Sequence, residues 1–205
     1  MEQIFVVNPK GGCGKTTVST QLAAYFAIQG RDVLLVDHDA QRSSTDWLAS
    51  RPLECAPIRS VAAAVGVEVD IGHADYVIHD MPAAWSLEHV EDIIHASDRV
   101  LIPVLASPTD IKACLRFVMG LNRSGVLESG VQVGMLANRV KAQIRYRDTL
   151  TEFLSRLELP LLTTLRDTQN YVRLMDQGKS IFDSPNARVE PDVVQWQPVF
   201  DWIAS

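Results

Sequence analysis

The sequence predicts an α/β fold built on a mostly parallel, twisted sheet with helices on both faces. Three observations carry this prediction. Apolar runs rich in Val, Ile and Leu alternate with longer helix-like stretches along the whole chain. Those runs lack the strict alternation of a half-exposed strand, as expected of strands covered on both faces. The first of them leads straight into a glycine-rich stretch, residues 11–17, and then into a helical pattern.

In chain order, QIFVVN (3–8) forms the first strand, and a helix over 15–29 starts where the glycines end. DVLLVD (32–37) is the second strand, followed by a helix at 43–50. The stretch 51–75 is the least regular, with a short edge strand expected near 54–58 and a helix or loop after it. YVIHDM (76–81) and RVLIPVL (99–105) are strands separated by a helix at 86–96. A helix at 109–123 precedes the strand VQVGMLAN (131–138), and a helix at 144–157 precedes LPLLTTL (159–165). Helices at 168–177 and 191–204 complete the chain. Such alternation implies right-handed crossovers, and ligands in such sheets bind outside the carboxyl ends of the strands. At 205 residues and 22.7 kDa, with 47% apolar residues, the chain suffices for one domain spanning 1–205.

Composition narrows the function. A net charge of −6 excludes a protein that coats nucleic acid with its whole surface. A local patch remains, since residues 139–179 hold eight basic residues against five acidic. Within it RVKAQIRYR, 139–147, contributes Arg139, Lys141, Arg145 and Arg147 and no acid, read either as a solvated helix face or as a binding patch. Cys13, Cys55 and Cys114 are widely separated, which points to neither a disulfide framework nor a zinc or iron–sulfur site. MEQIFVV carries no basic leader and no stretch reaches the length of a membrane span, so a cytoplasmic protein is expected.

The informative residues fall at strand ends. Gly11-Gly12-Cys13-Gly14-Lys15-Thr16-Thr17 reads as a phosphate loop: its backbone N–H groups and the following helix N-terminus suit an anion. Lys15 reaches the β- and γ-phosphates, Thr16 ligates Mg²⁺, and Cys13 fills the variable slot. The general pattern GxxxxGK[ST] has its first glycine at position 9, where this chain has Pro9. The fold class is therefore the single-domain P-loop NTPase. VDHDAQ supplies Asp37, Asp39 and Gln41, and VIHDMPA supplies Asp80 and Pro82. An aspartate ending a buried strand suits a cleft or a cation, so Asp80 is assigned to the Mg²⁺ shell, with Asp37 beside it and Asp39 placed to orient an attacking water. Helix capping is the competing role for these aspartates. His38 and His79 point away from the carboxylates by strand alternation and are read as packing residues.

KGGCGKTT, VDHDAQ and HDMPA resemble the deviant Walker A, A′ and B motifs of the ParA/MinD family of ATPases. LIPVLASPTD, LANRV and YVRLMDQGKSIFD are similar to later parts of the same family, closest to small ParA proteins of partition systems and to relatives that position carboxysomes or chemoreceptor clusters. The resemblance implies ATP and Mg²⁺ as ligands and slow intrinsic hydrolysis. It implies that Lys10 is a signature lysine reaching across a two-fold interface to ATP on the other subunit, so that the ATP-bound form is a homodimer. It further implies that Lys10, Lys15 and Asp39 serve catalysis, that residues 10–17 hold the phosphates, and that Asn138 contacts adenine. Ala40 stands where the family's DxDPQ has proline. In a ParA-like protein the ATP dimer binds nucleoid DNA without sequence preference, here through Arg139, Lys141, Arg145, Arg147, Arg166, Arg173 and Lys179, and an adaptor or ParB-like partner stimulates hydrolysis. The alternative is a MinD-like membrane switch with a basic amphipathic tail. The tail PDVVQWQPVFDWIAS has Trp196, Phe200 and Trp202 but no basic residue, and Pro198 interrupts it, so its aromatics are expected to cover the core. Cluster-carrying relatives need paired cysteines between subunits, which three scattered cysteines do not supply.

Overall fold

The structure, a computed structural model, describes residues 1–83, 85, 87, 90–96, 98–141, 159–184 and 186–205. Its strands are β1 (Glu2–Val6), β2 (Val33–Asp37), β3 (Arg59–Ala62), β4 (Tyr76–Asp80), β5 (Arg99–Leu105), β6 (Gln132–Val140) and β7 (Leu161–Arg166). The helices are α1 (Lys15–Ile28), α2 (Ser43–Ala49), α3 (Pro108–Arg123), α4 (Gln169–Met175), α5 (Glu190–Val193) and α6 (Gln197–Ala204). All seven strands pair in parallel, in the order β3-β2-β4-β1-β5-β6-β7. The direction of winding reverses at β1, which places the crevice for a ligand at its carboxyl end.

Both sheet faces are covered. Ile4 and Val6 of β1 pack with Val18, Leu22 and Phe26 of α1 and with Trp196 and Phe200 of the tail. Phe5 and Val7 point the other way, onto Ile111, Cys114, Phe117 and Leu121 of α3. Ser107 caps α3 by accepting from the Asp110 N–H at 3.2 Å, with Pro108 in the first turn. The tail aromatics do cover the core: Trp196 is fully buried and donates to the Tyr171 hydroxyl at 2.9 Å, and Phe200 stacks on Tyr25.

Three expectations need revision. The edge strand lies at Arg59–Ala62 rather than 54–58, because RSVA leaves three of its four residues exposed and so carries almost no apolar signal. Between β4 and β5 the described residues show a 3-10 turn at Val90–Asp92 in place of a helix over 86–96. The expected helix at 191–204 is broken into α5, a 3-10 turn at Val194–Trp196 and α6, with prolines opening both helical pieces. The helix expected at 144–157 lies outside the described residues.

A buried ion pair ties the chain after α2 to the loop after α4. The Arg51 guanidinium donates to both carboxylate oxygens of Asp183 at 2.8 and 2.9 Å and to the Ala56 carbonyl at 3.0 Å. Ser180 adds its N–H and hydroxyl to the same carboxylate. Burial alone would raise the Asp183 acid, but the Arg51 and Ser180 bonds outweigh it and hold it below the usual range. Asp183→Ala strands the guanidinium and is expected to cost about 3–5 kcal/mol in urea unfolding. Because the folded acid is depressed, the advantage of the wild type is present above about pH 3.9 and fades as pH falls below it.

Candidate functional site

The loop between β1 and α1 is held from both sides. Asn8, buried, donates its side-chain amide to the Pro103 carbonyl on β5 at 2.7 Å and accepts the Lys10 N–H at 2.8 Å. Asn138, at the carboxyl end of β6, donates to the Cys13 carbonyl at 2.8 Å. Gly14 has φ of +94°, and a Cβ there would lie 2.2 Å from the Asn138 amide nitrogen, so a larger residue strains the backbone and displaces Asn138. Cys13 is fully buried with its thiol directed at the Lys10 carbonyl, and burial raises its acid, offset in part by Lys15. It is thus a shielded thiol rather than a reactive one.

Lys15 turns back into this loop. Its ammonium is enclosed and donates to the carbonyls of Asn8 and Lys10 at 3.2 and 3.1 Å. Among the described residues no carboxylate pairs with it. An enclosed cation in a glycine-rich loop at a helix N-terminus favours a bound anion. Thr16 and Thr17 open onto a cleft of about 610 Å³ that also takes in Asp39, Gln41, Asn138 and Tyr171.

The strand-end carboxylates differ in their partners. Asp80 is paired in register with both Val6 and Asp37 and is buried. One of its oxygens accepts the Ser19 hydroxyl at 3.3 Å, whereas Oδ2 has no partner. Burial pushes its acid up to about 6, against the opposing effect of the Thr16 hydroxyl. Asp37, expected beside it in the cation shell, accepts the Asp39 N–H at 3.1 Å and both the N–H and hydroxyl of Thr45 at 2.9 Å, a capping arrangement at the start of α2. Asp39 lines the cleft with its carboxylate set by the Gln41 N–H at 2.9 Å. Among the described residues no three His, Cys, Asp or Glu side chains converge on a metal-sized point, so a cation here would draw on at most one or two carboxylates together with hydroxyl, phosphate and water oxygens.

Lys10 is separate from Lys15. Its ammonium lies 3.5 Å from the Asp110 carboxylate at the start of α3, with the Lys10 side chain 39% exposed. Ser107 holds the other Asp110 oxygen. Asp110 escaped the sequence analysis: SPTD marks a helix start, but nothing in local spacing brings it to the phosphate loop.

The expected basic cluster is divided. Arg139 and Arg166 line the cleft itself, because they stand at the neighbouring carboxyl ends of β6 and β7. Arg139 lies 3.4 Å from Asp167 and adopts φ of +53°, while Arg166 is paired with Asp192. Lys179 pairs with Glu54 at 3.6 Å. Lys141 and Arg173 are exposed, and Arg145 and Arg147 lie outside the described residues. His79 is buried against Phe5 and hydrogen-bonded to His38 at 3.0 Å and Gln3 at 3.1 Å. Burial pushes it down to about 3, which keeps it neutral. No helix among the described residues is long and apolar enough to cross a membrane.

Comparison with protein families matches residues 4–181 to the CobQ/CobB/MinD/ParA nucleotide binding domain. Maintenance of carboxysome distribution protein A of Halothiobacillus neapolitanus is 27% identical over 190 residues, covering 86% of this chain and 85% of that protein. Among solved structures, a point variant of Cyanothece McdA in complex with ATP superposes with a TM-score of 0.75 at 18% identity, covering 97% of this chain and 96% of that one. Aquifex aeolicus MinD also gives 0.75, at 16% identity, covering 100% and 98%. These two likenesses concern the fold.

Gly14→Ala combines a left-handed backbone, disfavoured by roughly 1–2 kcal/mol for an L residue, with a contact against Asn138. Loss of even one charge-assisted bond from the displaced loop, about 1.5–3 kcal/mol, weakens binding of a fluorescent ATP analogue about tenfold or more. Far-ultraviolet circular dichroism is expected to stay near wild type.

Proposed function

The chain belongs to the CobQ/CobB/MinD/ParA nucleotide-binding domain family, and we propose that it is a ParA-type ATPase that closes as an ATP-sandwiched homodimer. The observation that carries the reading is the division of labour between two lysines five residues apart. Lys15 is enclosed in its own loop, while Lys10 reaches outward to Asp110.

In this reading the amides of residues 11–16 and the Lys15 ammonium take the β- and γ-phosphates of ATP. Asp80, with a buried oxygen lacking a partner, and the adjacent Thr16 fit a magnesium ion. When bound, Mg²⁺ neutralises charge on the β- and γ-oxygens. Asp39 accepts a hydrogen bond from the attacking water at the cleft rim and orients it towards the γ-phosphate. Lys10 exchanges Asp110 for the γ-phosphate of the partner's nucleotide, as an arginine finger does elsewhere. Lys10 is the more exposed partner of the pair, and when it leaves, Ser107 continues to hold the buried Asp110 carboxylate.

Cargo positioning is the proposed use of the cycle, supported by the likeness to the Halothiobacillus carboxysome distribution protein. The ATP dimer binds nucleoid DNA without sequence preference, and an adaptor or ParB-like partner stimulates hydrolysis and releases it. The cargo is a plasmid, a chromosome or a protein assembly such as a carboxysome. Exposed Lys141 and Arg173, with Arg145 and Arg147, are better candidates for phosphate contact than Arg139 and Arg166, which face the nucleotide cleft. The MinD-like membrane reading is disfavoured because Trp196 and Phe200 are buried rather than offered to lipid. The protein is therefore proposed to act in the cytoplasm, on the nucleoid.

With ATP, the protein is expected to bind random-sequence DNA with an affinity that falls steeply with salt, and to ignore anionic vesicles. Binding to vesicles and not to DNA would replace this reading with the membrane one. Lys10→Ala is expected to keep ATP binding and lose hydrolysis, whereas Lys15→Ala loses both; equal hydrolysis in Lys10→Ala and wild type would refute the assigned role.

A further inference from the structure

Ser44, in the first turn of α2, is fully buried, yet its hydroxyl has no hydrogen-bond partner. A hydroxyl withdrawn from water without a partner is destabilising, so its placement calls for a physical reason. Thr45, the next residue, anchors to Asp37 through both its N–H and its hydroxyl. Asp37 in turn stands in register beside Asp80, so the start of α2 lies over the two strand ends. The Ser44 and Thr16 hydroxyls lie close enough to Asp80 to favour its charged form, while Ser44 Oγ and Asp80 Oδ2 each lack a partner in hydrogen-bonding geometry.

A hydroxyl on α2 and a carboxylate oxygen on β4 thus lie near one another beside Thr16, without a direct hydrogen bond between them. We propose that Ser44 is a positioning residue of the cation site, its hydroxyl and Asp80 sharing a water of the Mg²⁺ hydration shell. This rests on the nucleotide reading above and adds a consequence. Magnesium occupancy then draws on α2 directly, so the loop carrying Asp39 is set by the cation as well as by the phosphates.

The test uses the full chain and a fluorescent ATP analogue titrated at a series of Mg²⁺ concentrations and in EDTA. Removing a partner of the outer coordination shell costs about tenfold or more in metal affinity. Ser44→Ala is accordingly expected to need about tenfold more Mg²⁺ for half-maximal nucleotide binding, with affinity in EDTA unchanged and Ser44→Thr close to wild type. If Ser44→Ala fails to fold, Ser44→Cys, similar in size but a poor hydrogen-bonding group, carries the same comparison. An unchanged Mg²⁺ midpoint overturns the inference, even where thermal stability falls, since a purely structural hydroxyl behaves that way. A wild type that binds no nucleotide at any Mg²⁺ concentration overturns both this inference and the ATPase reading.

Discussion

Lys15 is 7% exposed, and its ammonium turns into the loop to which it belongs, with two carbonyl oxygens as its partners. A charge so enclosed is stable only because the loop around it is rigidly placed, and the placement draws on most of the sheet. Asn8 fixes the loop to β5, Asn138 fixes it to β6, and the left-handed backbone of Gly14 leaves room for the second of these contacts. Packing of β1 between β4 and β5, with α1 on one face and α3 on the other, sets the height of the loop above both cores. The cage is left short of negative charge, and a phosphate ester supplies it.

From that cage two connections run outward. One passes through Asp80 and Asp37 to Thr45 and the start of α2, which places the Asp39 loop at the cleft. The other runs from Lys10 to Asp110 at the start of α3. In the proposed cycle both respond to the same ligand: the phosphates with their cation set the first, and the partner's nucleotide captures the lysine of the second. Binding, dimer closure and water positioning then share one origin.

Much of this is legible in the sequence. Six of the seven strands lie within two residues of their expected positions, because strands buried on both faces write near-continuous Val/Ile/Leu runs. β3 is illegible for the opposite reason, since an exposed four-residue edge has little apolar pattern to show. The phosphate loop and the strand-end aspartates are local in sequence and so readable. Contacts between distant segments are not: Asp110 against Lys10, Asn138 against Cys13, and Arg139 with Arg166 at the cleft follow only from the strand order. A basic run in sequence gives no sign that its first member borders the cleft with its neighbour on β7.

In the proposed cycle Lys10 crosses to a second copy of the chain. The most direct measurement is sedimentation of the Asp39→Ala protein, which should hold ATP without consuming it. With ATP and Mg²⁺ it is expected to sediment as a dimer, with ADP as a monomer, and with the added change Lys10→Ala as a monomer that still carries ATP. A dimer that persists without Lys10, or a monomer under every nucleotide condition, would contradict the sandwich.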